Sequence, residues 1–451
     1  MTKIRRLDNF QHTFSFTSHT EKFDLFFSRF LAGDLGKIYS AIPWDALVNT
    51  FGLKDTKKGP RSIFSPQGKL ALMFLKHYAC CCDKRLIEQL NGNIDYQFFC
   101  GIDLGNNRLT NHKIVSEIRC ELAKKLHIDN TQQTLFDFWS VYIDDKHSIV
   151  MDATCYESEL RYPTNEKLLW ESVDWSYRQL KATCKALSIK TPRTKYLKWK
   201  RRYISYSKMR RKTKSKRKRL DRSLLLLLAK IDRELSNLEK HYRLQMPKQY
   251  YQRRATIKYI YKQQSQTFHT GKKPKGRIVS IGKDYLPPIV RGKEIKPVEF
   301  GAKVNKYQID GISFIEHLDF NAFHEGNRFK DTIFKAQRLT KTKTRLAGAD
   351  AIYATNKNRR FATKYNIQTD FKRKGRAGKY EKQRKLIAAL IQKERATRLE
   401  GSFGKEKEHY HLKKIKARTK KTETLWIFFG IHTANALEIG RRIEASLQKA
   451  A

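Results

Sequence analysis

Between Lys190 and Arg219 the chain carries 16 lysines or arginines and no acidic residue. Such a stretch cannot enter a hydrophobic core, because its cations would be buried without partners. Those cations must face solvent or a polyanion. The chain as a whole is not disordered: of 451 residues 40% are hydrophobic and 12% aromatic, too many for that. The whole chain shares the bias of the run, with 94 Lys+Arg against 44 Asp+Glu and a net charge of +50. Nucleic acid is the first partner this implies and an anionic membrane surface the second. The second lacks the amphipathic anchor that surface binding uses. No apolar run reaches the roughly 18 residues of a membrane span, and no apolar leader follows the basic N-terminus. A dense cationic run without acids predicts sequence-independent contact with phosphates, weakening steeply with salt. Lys200, Arg201, Arg202, Arg210 and Arg211 are the expected contacts. Tyr196, Trp199, Tyr203 and Tyr206 interleave with them.

The sequence before the run divides in two. Up to about residue 130 it reads as helical: Ser65-Pro66 is a cap followed by a first-turn proline, and Leu70–Cys82 is dense enough for a buried helix. Further helices are expected over Asp83–Leu90, stopped by Asn91-Gly92-Asn93, and over Asn111–Leu126. His147–Cys155 is a β-branched run that reads as a central strand closed by Asp152. After the run, Asp221 is placed to cap a helix in which Leu228, Ile231, Leu235, Leu238 and Tyr242 recur at steps of 3 and 4. Strands are expected over Arg277–Ile281, Glu299–Val304, Ile312–His317, Thr344–Ala351 and Ile367–Phe371, with a hairpin turn at Asp310-Gly311. Helices are expected over Phe329–Leu339, from Tyr380 past Glu400, and over Thr424–Arg441. The pattern is α/β, without a GxGxxG or GxxxxGKS phosphate loop. Seven cysteines form no CxxC pair, so neither zinc nor a disulfide framework is expected in this reduced-compartment protein. Cys80, Cys81 and Cys82 read as small buried hydrophobes.

Three carboxylates stand out. Asp152 and Asp350 each close a strand, where α/β sheets place functional side chains. Glu400 lies on the long helix. Acids from separate elements in a very basic chain suit two divalent ions acting on phosphodiesters, since Mg²⁺ takes hard oxygen ligands. Among competing acids, Asp310 belongs to its turn, and Asp284 is the reserve for the second ligand. Glu325 is a helix-start residue or an outer partner of the site. Trp170 and Trp175 either cover the core or stack on an unpaired base.

These blocks resemble bacterial insertion-sequence DDE transposases. Asp152-Ala153-Thr154, followed by Arg161-Tyr162-Pro163-Thr164-Asn165 and Leu168-Leu169-Trp170, resembles their first-Asp block. The stretch from Ala349-Asp350-Ala351 to Asn358-Arg359 resembles the second. Glu400-Gly401-Ser402-Phe403-Gly404 with Lys407 is similar to the Glu block, in which a Lys follows the Glu by seven positions. Arg291-Gly292-Lys293 with Glu299-Phe300-Gly301 and Lys303 matches a segment between the first two blocks. The likeness covers about 60–440 apart from the basic insert. It implies an RNase H-like mixed-sheet catalytic domain over 140–451, interrupted by a basic helical insertion at 165–278. An all-helical DNA-binding and dimerisation region, 1–130, would precede it. It also implies Asp152, Asp350 and Glu400 as catalytic ligands of two Mg²⁺ or Mn²⁺ ions. The reaction implied is cleavage of transposon ends and joining of the freed 3′-hydroxyl to target DNA. Arg291, Lys293, Arg395, Arg398 and Lys407 would contact DNA. The expected partners are double-stranded DNA with terminal inverted repeats and a target DNA, engaged by a homodimer in the bacterial cytoplasm at the nucleoid, without a membrane. The chain departs from the family in two ways. Its large insertion lies between the first and second acids, and Ala396 stands where an Arg four residues before the Glu is common. Arg395 and Arg398 flank that position. The alternative is a non-catalytic DNA-binding protein derived from a transposase, whose mark would be loss of one acid.

Overall fold

The computed structural model describes residues 5–6, 18–55, 62–272, 274, 276–290 and 298–450. Arg291 and Lys293 lie outside the described residues. The chain divides into two compact units: residues 1–158 with 301–451, and residues 159–300.

The first unit joins a helical module to a mixed sheet. Ser65 accepts the Gly68 amide at 2.9 Å and starts the helix Pro66–Tyr78, whose apolar residues are buried almost all round. Helices Asp83–Gly92, Lys113–Lys125 and Ile128–Trp139 follow. Cys80 and Cys82 are exposed and Cys81 half-buried, contrary to the expectation of three buried thiols. The first helix ends at Tyr78, and Cys80 adopts a left-handed turn (φ 45°) that carries these side chains off the core.

Five strands form the sheet: β1 (Ser148–Glu157), β2 (Gly301–Ile309), β3 (Ile312–Asp319), β4 (Leu346–Ala349) and β5 (Gln368–Thr369). Their order is β3-β2-β1-β4-β5, with β1–β2–β3 antiparallel and β4 and β5 parallel to their neighbours. The β2–β3 hairpin turns on Asp310 (φ 47°) and Gly311 (φ 80°), the positive pair a two-residue turn needs. One helical rod, 381–409, lies against β1, where Ile391 and Leu399 bury Val150. On β3, Phe314 meets Phe136 of the helical module edge to face at 5.9 Å. The helix Lys420–Ala450 reaches the same strand through Asn435, which pairs with the Ser313 backbone at 2.7 and 3.0 Å.

The second unit holds four long helices, Asn165–Ala186, Tyr196–Lys208, Lys214–His241 and Lys248–Thr270. Leu228, Ile231 and Leu235 are buried in its core, and Trp170, Trp175, Trp199 and Tyr203 pack against it. Trp170 stacks on Tyr203 and Tyr196, so the tryptophans serve packing within this unit. Two expectations fail. The helix starts seven residues before Asp221, capped by Thr213, because threonine there already offers the Lys216 amide an acceptor. Arg277–Ile281 pairs with no strand among the described residues; its β-branched residues turn into the unit's core instead.

Candidate functional site

β1 continues five residues past Asp152, so this acid lies within the strand and does not close it. What ends there is the partnership with β4. The parallel ladder runs from Ser148↔Leu346 to Met151↔Ala349, and β4 then leaves the sheet while β1 stays paired to β2. Asp152 and Asp350 are the next residue on each strand. Neighbouring strands lie about 4.8 Å apart, so the two carboxylates share one notch at the edge of the ladder. Each accepts the amide that follows it at 2.7 Å, from Ala153 and Ala351. For Asp350 this caps the short turn Ala351–Tyr353.

Burial is the main reason the Asp152 carboxyl is pushed up to about 6, and the nearby charges of Glu325 and Asp350 raise it further. The Ala153 amide and the Arg395 guanidinium oppose the rise. Asp350 is more open, 58% exposed, and Arg395 pairs with it at 3.5 Å. Asp370, beyond β5, accepts the Ala349 amide at 3.1 Å and so pins the strand end that presents Asp350. Burial raises the Asp370 carboxyl too. Glu325 is held by Lys303 at 2.7 Å, consistent with an outer partner of the notch.

Alternate residues of a strand share a face, so Val150, Asp152 and Thr154 point toward the 381–409 rod. Val150 touches Leu399, and Thr154 accepts from Lys407 at 3.0 Å. Glu400 is exposed at the start of Glu400–His409 and makes no side-chain hydrogen bond or ion pair among the described residues. No group of three His, Cys, Asp or Glu side chains among the described residues is placed to hold a metal ion. Asp152 and Asp350 nevertheless suit a divalent cation by their chemistry. They are hard oxygen donors crowded together, and their mutual repulsion is relieved by positive charge.

The arginines flanking Ala396 part company. Arg395 turns to Asp350, whereas Arg398 pairs with Asp310 at 3.0 Å and Glu394 at 3.1 Å. Asp310 also binds Arg442 at 2.9 Å, which fixes the hairpin turn to the last helix. Asp284 belongs to the second unit and accepts from Thr256 at 3.2 Å. Lys200, Arg201, Arg202, Arg210 and Arg211 are all exposed there, Arg202 lying over the Trp199 ring.

Lys306 lies opposite Asp152 on β2. It is fully buried and donates to Glu406 and Ser402, both at 2.6 Å, and Tyr156 donates to the same Glu406. Burial lowers the Lys306 ammonium despite the Glu406 charge. This cluster ties the rod to the sheet beneath the notch. Nothing in the local sequence marks it: counting back from the Asp310-Gly311 turn sets Lys306 opposite Ile315 of β3, whereas its pairing with Asp152 belongs to the long-range β1–β2 ladder.

The fold and notch define an α/β protein with two acids where parallel pairing ends, in a strongly basic chain. A family model described as a transposase DDE domain matches residues 348–432, which include Asp350 and Glu400. A second, described as a transposase domain (DUF772), matches residues 32–121 in the helical module. Together the two matches indicate an insertion-sequence DDE transposase. No curated protein and no solved structure matches the chain. No described helix is long and apolar enough to cross a membrane.

Proposed function

We propose that the chain cleaves DNA at the inverted-repeat ends of its element and joins the 3′-hydroxyl to target DNA, with Asp152, Asp350 and Glu400 as metal ligands. The observation that carries this reading is the register. Asp152 and Asp350 each follow the last parallel pair, Met151↔Ala349, and so share one notch. The strand order, with a three-stranded antiparallel meander extended by two parallel strands on the side of its first strand, supports an RNase H-like domain. When bound, two Mg²⁺ or Mn²⁺ ions supply activation of the attacking oxygen and stabilisation of the leaving one. Asp152 and Asp350 would hold them from the sheet, and Glu400, exposed at the start of Glu400–His409, would supply the third carboxylate. Lys407, beside Thr154, neutralises a DNA phosphate next to the reacting one. The cations of Tyr196–Lys208 and the loop after it hold the duplex without reading its bases. The helical region up to residue 130 binds DNA as well, and pairing two ends requires a dimer.

The test is Mg²⁺-dependent nicking of a duplex carrying the element's terminal repeats. Asp152→Asn, Asp350→Asn and Glu400→Gln are each expected to abolish nicking while leaving DNA affinity nearly unchanged. Nicking at the parent rate by any of them removes that residue from the site. Nicking by none of the proteins, parent included, favours a DNA-binding role without catalysis.

A further inference from the structure

The rod that carries Glu400 is not a uniform α-helix. Glu381–Glu394 and Glu400–His409 are α-helical, but Arg395–Leu399 between them is a π-helical turn. The Glu400 amide accordingly bonds to the Arg395 carbonyl, five residues back instead of four. The consequence is rotational. In an α-helix each residue advances by about 100°, so positions five apart differ by about 140° and face different ways. In a π-turn positions five apart stack one above the other. Arg395 and Glu400 are therefore brought to one side of the rod, and from there Arg395 reaches the notch at Asp350.

Three contacts agree with that placement. Arg395 reaches Asp350 at 3.5 Å and is only 20% exposed. Its Nε is buried without a hydrogen-bond partner among the described residues. Leu399, the last residue of the turn, is buried against Val150, which locks the turn to the strand that carries Asp152. Ser402 and Glu406, one and two turns on, are held by buried Lys306, so the segment after the turn cannot rotate freely.

We propose that the π-turn is a register device that delivers Arg395 to the acid notch, where its guanidinium is the internal counter-ion of Asp350 and is displaced when a divalent cation binds. Arg395 is thus a positioning residue: it holds the two carboxylates together while the site is unfilled and competes with the cation that fills it. The inference rests on the metal-site reading above, and the experiment separates the two.

The measurement is Mn²⁺ binding to the full chain without DNA, followed by electron paramagnetic resonance of the free ion. Parent binding that Asp350→Asn abolishes supports the metal site; no such binding overturns both readings. Given that binding, Arg395→Gln is expected to tighten Mn²⁺ about threefold, the size of a partly exposed ion pair. Arg395→Lys, which keeps a positive charge, is expected to return toward the parent value. Deleting Ala396 removes the extra residue of the turn and leaves the arginine four positions before the glutamate in a continuous α-helix. That variant is expected to unfold at the parent temperature and bind Mn²⁺ within a factor of two of the parent. Equal or weaker Mn²⁺ binding by Arg395→Gln overturns the proposal. So does a deletion variant that is unfolded or that binds like Arg395→Gln.

Discussion

Asp152→Asn is expected to make the metal-free protein more stable at neutral pH. Burial and the charges of Glu325 and Asp350 push this carboxyl from its ordinary value of 3.8 up to about 6 in the folded chain. An acid with a raised folded-state value binds its proton more tightly folded than unfolded. Its ionisation therefore weighs against folding at any pH above both values. Each tenfold in proton affinity is worth about 1.4 kcal/mol, so the folded protein loses up to about 3 kcal/mol as pH rises from about 4 to 7. Asparagine keeps an oxygen for the Ala153 amide and has no charge to bury. Urea unfolding of parent and variant in EDTA, followed by fluorescence between pH 4 and 8, measures the difference. The variant is expected to match the parent near pH 4 and to gain progressively up to about pH 7. An Asp152→Asn protein that is less stable than the parent at pH 7, or whose advantage does not change with pH, refutes the argument.

Other expectations follow from the same contacts. Glu406→Ala leaves Lys306 buried beside Ser402 alone and is expected to cost about 3–5 kcal/mol in urea unfolding, whereas Lys306→Met with Glu406→Leu is expected to cost far less. Reversing Lys200, Arg201, Arg202, Arg210 and Arg211 to glutamate is expected to flatten the slope of log affinity against log salt by about 4, measured by anisotropy on duplex DNA. An unchanged slope would leave these residues as solvated decoration. Point changes are the right tool here, because Tyr196 and Tyr206 in the same stretch are buried in their unit's core and deleting it would unfold that unit. Asp310→Ala is expected to remove one ion-pair partner each from Arg398 and Arg442 and to lower stability by about 1–3 kcal/mol without changing nicking at saturating Mg²⁺.

Much of this was legible in local sequence. The β-branched run before Asp152, the Asp310-Gly311 turn and the Ser65-Pro66 start carry their structure in a few adjacent residues, and the chain folds there as the residues dictate. The apolar run stops near Asp152, and locally that pattern marks a strand end. The strand goes on because β2 still pairs with it, an interaction set about 150 residues away in the chain. The strand over Arg277–Ile281 failed for the opposite reason: β-propensity without a partner makes no strand. The π-turn has no composition signal, since four of its five residues are ordinary helix formers and the fifth, Thr397, is common on exposed helix faces. Lys306 and Glu406 are a hundred positions apart, and only the fold makes them one buried pair. The cysteines at 80–82 are apolar without being buried, because the helix before them has already ended at Tyr78.

Whether Asp350 touches a metal ion during strand cleavage is tested most directly by replacing it with cysteine. Thiolate is a poor ligand for Mg²⁺ and a better one for softer, thiophilic ions. On terminal-repeat DNA, Asp350→Cys is expected to bind the duplex like the parent and to nick nothing in Mg²⁺. Part of the parent rate is expected to return in Mn²⁺ or Mn²⁺ with trace Cd²⁺. A variant that stays inactive in every ion while binding DNA normally, or that nicks at the parent rate in Mg²⁺, contradicts the account.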